Sequence, residues 1–154
     1  MIYKNLGLAQ QLPVIGIGTW EMGGRETPDV SQNQVYVEAL QFAISQGLTH
    51  IDTAAYYGNG QAEIVVGQAI ETFNRSNVFI TTKVWHTKLC KNDLLASAYK
   101  STERLKTSYI DLLLIHFPNP DVPHAESREA LNLLVEQKLV INIGVGTYSV
   151  AQLT

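Results

Sequence analysis

Apolar and β-branched residues cluster in five short runs along the chain, at residues 14–18, 50–52, 78–83, 110–116 and 141–145. Each run is bounded by polar or turn-forming residues, the pattern of a strand buried on both faces. Between the runs the apolar positions step at helical spacing instead. They fall at Val35, Ala39, Leu40 and Ala43, at Ile64, Val65 and Ala69, at Leu94, Leu95, Ala98 and Leu105, and at Leu131, Leu134 and Val135. Ser31 and Gln34 have the spacing of a capping box at the start of the first helix, and Gly47 suits its exit. Strand and helix therefore alternate with a period of roughly thirty residues, which predicts parallel strands joined by crossover helices in one domain, residues 1–154.

Two parallel architectures fit that alternation. A doubly wound sheet that binds a dinucleotide carries G-x-G-x-x-G after its first strand, but "GIGTWE" puts Glu21 at the third glycine. A (β/α)8 barrel instead gathers its chemistry at the carboxyl ends of its strands, where polar residues are otherwise unfavourable in a buried sheet. Asp52 closes the second run, Lys83 the third and His116 the fourth, and Tyr57 lies five residues beyond Asp52. Taken singly, each has an ordinary explanation, as a turn residue, a solvated cation or a hydrogen-bonded core group. Their convergence on one rim favours a site.

Composition narrows the function. With 154 residues, 45% hydrophobic and 16% charged, the chain can bury a core of its own. Eleven basic and fourteen acidic residues leave a net charge of −3 with no basic run, which argues against a nucleic-acid partner. The longest apolar runs, such as Leu112 to Ile115, are far too short to span a membrane. The opening "MIYKNLGLAQ" lacks the apolar stretch of a signal peptide, and the single cysteine, Cys90, excludes an intrachain disulfide; both fit the cytoplasm. Cys90 has no partnered base in the pattern and reads as a packing residue. His50 and Asp52 bracket Ile51 at a spacing that could hold two metal ligands, but no third ligand accompanies them, so no metal is expected. His86 and His124 fall in expected loops.

The segments "GIGTW", "IDTAAYYGN", "ITTKVW" and "LLLIHFP" follow one another in the order and spacing of markers of the aldo-keto reductases, a family this chain resembles over nearly its whole length. The resemblance implies a TIM-type (β/α)8 barrel and a catalytic tetrad at Asp52, Tyr57, Lys83 and His116. It also implies a nicotinamide cofactor, usually NADPH with NADH the alternative, beside Thr19, Asp52, Gly146 and Thr147. The substrate would be a small-molecule carbonyl, and the opening segment "IYKNLGLAQQLPVIGIG" would form a hairpin closing the barrel bottom. The chemistry explains the grouping. Carbonyl reduction needs a hydride on carbon and a proton on oxygen. An ammonium beside a phenol makes it a better acid by stabilising phenolate. Lys83 would do this for Tyr57, Asp52 would hold Lys83, and His116 would hold the carbonyl oxygen. Trp20 and Trp85 would wall the substrate pocket or simply pack at the rim.

A barrel of this type has eight strand and helix units in about 250 residues. Here four units and a fifth strand are followed by "SVAQ", in which Ser149 and Gln152 have capping-box spacing. The chain thus reads as the amino-terminal part of the barrel. Two departures lie near that end: "GVGT" puts Gly146 and Thr147 where relatives usually have Ser and Asn to hold the carboxamide, and Lys138 stands where glycine usually ends the preceding helix. An open barrel would leave strand edges and inward apolar side chains bare at residues 14–18 and 141–145, predicting a homo-oligomer. Two functions follow as expectations: a carbonyl reductase, or a non-catalytic half-barrel that serves as an interaction or assembly module.

Overall fold

The structure is a computed structural model that describes residues 2–5 and 11–152. A hairpin opens it, β1 (Tyr3–Asn5) running antiparallel to β2 (Gln11–Pro13) with Tyr3 opposite Pro13. The turn joining them lies outside the described residues. Five parallel strands follow: β3 (Ile17–Gly18), β4 (His50–Asp52), β5 (Phe79–Val84), β6 (Ile110–Ile115) and β7 (Val140–Val145). The crossovers are α1 (Asn33–Ser45), α2 (Gln61–Ile70), α3 (Lys91–Arg104) and α4 (His124–Glu136). In the sheet the strands lie in chain order, β3-β4-β5-β6-β7. Each crossover therefore steps to the next strand in one direction, as barrel winding requires, without the reversal that marks a doubly wound sheet.

Register assigns the two faces. Lys83 pairs with Leu114, and Leu114 with Gly144, so these residues share the face on which the Lys83 ammonium meets Asp52 and Tyr57. Leu113 and Ile115 point the other way, under the helices, and are buried. The core lies between that outer face and the helices, joining Ile51, Ile80 and Leu113 to Leu40, Val65, Leu94 and Leu134. All seven of those side chains are at most 1% exposed, so the sheet is held on its helical side by burial of apolar surface.

Several expectations change at the residue level. The first strand is shorter than predicted: Val14 and Ile15 are exposed, because the Val14 N–H continues the hairpin by donating to Ile2 O and only Ile17 and Gly18 pair with β4. In α1 the buried stripe is Val37, Leu40 and Ile44, while Val35 and Ala39 are exposed. This helix carries apolar residues on most of its circumference, so two stripes shared the same period and contact with the sheet selected one. Ser31 does not cap it. The Asp29 carboxylate accepts the Ser31 N–H at 2.9 Å, and these Ser31 hydrogen bonds hold its pKa below the usual value, while Gln34 reaches forward to Glu38. Gly47 does form the exit, at φ +90° with its N–H on Ile44 O. Lys138 occupies the equivalent left-handed position after α4, at φ 58°.

At the far end one arm of the second capping box forms, the Ser149 N–H donating to Gln152 Oε1 at 2.8 Å. The Ser149 hydroxyl turns to that same oxygen and not to the backbone. Cys90 is exposed at the N-terminal cap of α3, not packed in the core, because the helix starts there and leaves its side chain outside. His86 opens a short 3-10 turn and His124 begins α4, so neither lies in irregular loop.

Candidate active site

The carboxyl ends of β4 and β5 and the turn after β4 converge on one ammonium group. Lys83 is the fifth residue of β5, and its side chain is only 10% exposed. Its Nζ donates to Asp52 Oδ1 at 2.5 Å, to Thr53 O at 2.9 Å and to the Tyr57 hydroxyl oxygen at 3.2 Å. A lysine has three N–H donors, and all three are engaged. Because the phenol oxygen accepts from the ammonium, its own proton is free to point at another acceptor.

Local sequence explains how Tyr57 arrives there. After β4 the chain makes a tight turn (Tyr57–Gly60) before α2. Gly58 at φ 56° is pressed under the loop that follows β3: its N–H donates to Arg25 O at 2.6 Å, and a Cβ would lie 2.2 Å from Gly23 O. No side chain fits that position. The turn is thereby fixed with Tyr57 aimed inward over β5.

His116 follows directly after β6. Its ring meets Tyr57 edge to face at 5.7 Å and stacks on Phe117 at 4.8 Å. Burial, reinforced by the nearby Lys83 charge, pushes its pKa down to about 4. The imidazole is neutral near pH 7, so one ring nitrogen carries a proton for donation to an oxygen and the ring adds no charge that would compete with Lys83. Its Nδ1 is buried with no hydrogen-bond partner among the described residues.

Aromatic rings form the wall. Trp20 meets Tyr57 edge to face at 4.9 Å, and Trp85 meets His116 at 5.2 Å. Tyr56, which the sequence reading passed over, stacks on Trp85 at 3.8 Å and 9° and lies parallel to Trp20 at 6.4 Å. Its position beside Tyr57 in "AAYYGN" was the available signal. Phe117 was also missed, although it directly follows His116. A cleft of about 400 Å³ opens on the outer side of the Tyr56–Trp85 pair, lined by Asn59, Ser97, Lys100 and Arg104 among others. None of Asp52, Tyr57, Lys83 or His116 lines it, so the converging polar groups lie on the open rim and not in that cleft.

The remaining expected residues divide. Thr19 is fully buried, and its hydroxyl donates to Asp52 O at 3.1 Å, so it braces the end of β4. Gly146 and Thr147 follow β7; Gly146 N–H donates to Ile115 O at 2.7 Å, and Thr147 is exposed at φ 59°. His50 Nε2 lies 3.0 Å from Thr81 Oγ1. Among the described residues no group of three or more potential metal ligands gathers, and no helix is long and apolar enough to cross a membrane.

The model of the aldo/keto reductase family matches residues 14–154. The chain belongs to the aldo/keto reductase family. This aldo/keto reductase chain is 35% identical to the aldo-keto reductase YhdN of Bacillus subtilis over 148 residues, covering 90% of this chain and 44% of that protein. It is 37% identical to the methylglyoxal reductase YeaE of Escherichia coli over 142 residues, covering 92% and 48%. Among solved structures, the thermostable aldo-keto reductase Tm1743 bound to the inhibitor epalrestat superposes with a TM-score of 0.97 at 47% identity, covering 99% of this chain and 56% of that one. An aldo/keto reductase of Klebsiella pneumoniae bound to NADP and acetate does so at 0.84 and 38%, covering 92% and 48%. The chain spans about half the length of the relatives it matches. Its five parallel strands and four helices are a sector of the family's (β/α)8 barrel.

Proposed function

We propose that this chain carries the proton-donating side of an NADPH-dependent carbonyl reductase site, acting on aldehydes or ketones with Tyr57 as the donor. One observation supports the assignment above all others: a single ammonium, Lys83, is shared among Asp52, Thr53 O and Tyr57. Asp52 and the carbonyl of Thr53 hold the ammonium in place, and its third donor lies on the phenol oxygen. As proton transfer proceeds and negative charge grows on that oxygen, the existing contact strengthens without any rearrangement. His116, neutral near pH 7, is the hydrogen-bond donor that holds the substrate oxygen. Trp20, Tyr56 and Trp85 present apolar faces that exclude water from the substrate side.

The residues present fit the nicotinamide end of the cofactor. No atom lies within 4 Å of the point where a Cβ on Gly18 would sit, which leaves an open floor at the end of β3 beside Asp52. The orphaned His116 Nδ1 marks a rim that still has hydrogen-bonding capacity to offer. Gly146 and Thr147, which stand where relatives usually have Ser and Asn, would lie beside the carboxamide with the Thr147 hydroxyl as the side-chain group on offer, and Thr19 would act through Asp52. A bound nicotinamide would supply the hydride. Several structural relatives are described in complex with NADP or NADPH, which supports NADPH over NADH. The single cysteine supports a reducing, cytosolic compartment.

A second reading, a non-catalytic assembly module, draws support from β7. Ile143 and Val145 pair with Leu113 and Ile115, yet they are 39% and 37% exposed where their partners are buried. The bare apolar row is the helix-facing one, Ile141, Ile143 and Val145; the residues on the Lys83 face, Asn142 and Gly144, are polar or lack a side chain. The expectation of bare inward apolar groups on this strand is corrected accordingly. A polypeptide of these 154 residues is expected to self-associate through the β3 and β7 edges and this row. Fluorescence titration with NADPH separates the readings. Stoichiometric binding supports the reductase; no binding by a stable dimer in light scattering supports the module.

A further inference from the structure

Behind the rim lies a second charged network that the tetrad does not include. Glu63, in the first turn of α2, is wholly buried. Its Oε2 accepts from Arg104 Nε and lies 2.6 Å from Arg104 Nη2 as well, and its Oε1 accepts from the Thr82 hydroxyl at 2.5 Å. Arg104 ends α3 and lies against the turn that carries Tyr57: a Cβ on Gly60 would sit 2.7 Å from both its Cδ and its Nε. Gly60 is the N-terminal cap of α2, at φ 93°.

Thr82 and Lys83 are neighbours in β5, and neighbours in a strand face opposite ways. The segment from Tyr57 to Glu63 therefore grips β5 from both faces. On the inner face the Tyr57 hydroxyl meets Lys83 at 3.2 Å, and on the outer face Glu63 meets Thr82. Five residues lie between Tyr57 and Glu63, too few to absorb movement of α2 without displacing the phenol. A buried ion pair contributes little net stability compared with apolar side chains of the same volume, whereas removing one member strands the other charge.

We propose that Glu63, itself held by Arg104, is a positioning residue for the reaction: its hydrogen bond to Thr82 sets the register of α2 on β5 and so fixes Tyr57 on Lys83. This rests on the carbonyl-reductase reading above, and its test includes a readout that does not need turnover. Thr82→Val keeps shape and β-branching while removing only the hydroxyl, and Thr82→Ser retains the hydroxyl.

Both variants of the chain would be examined by NMR for the nuclear Overhauser contact between the Tyr57 ring protons and the Lys83 ε-protons, with NADPH-dependent reduction of a small aldehyde measured alongside. The Val variant is expected to weaken that contact and lower kcat by about tenfold or more, with aldehyde KM little changed, since a misplaced catalytic group loses rate before it loses binding. The Ser variant is expected to restore both. An unchanged contact in the Val variant, or equal loss in the Val and Ser variants, overturns the proposal. If the parent binds no NADPH, the reductase reading fails while the Tyr57–Lys83 contact still decides the positioning role.

Discussion

Arg104→Met tests how the buried network contributes to stability. The substitution keeps much of the aliphatic stem, removes the guanidinium, and leaves the Glu63 carboxylate fully buried with Thr82 as its remaining partner among the contacts described above. Removing one member of a buried ion pair costs about 3–5 kcal/mol. Arg104 is 23% exposed, so water can reach part of the vacated site, and the lower figure of about 3 kcal/mol is the better expectation. For a chain of this size each kcal/mol moves the unfolding midpoint by about 2–4 °C, which gives a drop of roughly 6–12 °C. The double variant Glu63→Leu/Arg104→Met removes both charges and takes a partner only from the Thr82 and Ser101 hydroxyls, a loss of about 1 kcal/mol each. Urea unfolding followed by circular dichroism should therefore rank parent, double variant and single variant in order of falling stability. A single variant within 1 kcal/mol of the parent, or a double variant as unstable as the single, would refute the reasoning.

Other consequences follow from individual side chains. His116 is held near pKa 4 by burial, and His50 is lowered by burial as well, so the folded chain binds fewer protons than the unfolded one below the ordinary value of 6.5. Stability should be fully present above pH 6.5 and lost as pH falls toward 4, and His116→Phe should flatten that slope in midpoint-versus-pH curves. Lys138→Gly relieves a left-handed lysine and should stabilise by roughly 1 kcal/mol in chemical unfolding, whereas a loss of stability would show that the Lys138 side chain contributes more than its backbone costs. Replacing Gly146 by Ser and Thr147 by Asn should tighten NADPH binding in a fluorescence titration, each recovered hydrogen bond contributing about 1 kcal/mol, or about fivefold. No gain would place the carboxamide elsewhere.

The periodicity of apolar positions was enough to locate four of the five parallel strands and all four helices, because strands buried on both faces leave little room for polar residues. It failed where a local competitor acted. Asp29 took the N–H of Ser31 and displaced the expected cap, and the hairpin kept Val14 out of the barrel sheet. The stripe of α1 was ambiguous because that helix is apolar nearly all round, and only contact with the sheet could choose Val37, Leu40 and Ile44. Polar residues at strand ends singled out Asp52, Lys83 and His116, and the structure brings Tyr57 to the same ammonium. The bond from the Thr19 hydroxyl to Asp52 O depends on the local turn after Gly18, which residue type does not reveal. The Glu63–Arg104–Thr82 network was illegible for another reason: an acidic residue in the first turn of a helix is ordinarily a surface residue beside the helix dipole, and nothing in the spacing shows that α3 will bury it.

The proton-donor role of Tyr57 is tested most directly by aldehyde-dependent oxidation of NADPH, measured at saturating cofactor for the parent and for Tyr57→Phe. That substitution removes one oxygen and leaves the ring contacts with Trp20 and His116 in place. General acid catalysis contributes about 10²–10⁴-fold, so kcat should fall by at least about a hundredfold while the circular dichroism spectrum and unfolding midpoint stay close to those of the parent. Equal rates for the two proteins would contradict the assignment of Tyr57 as the proton donor.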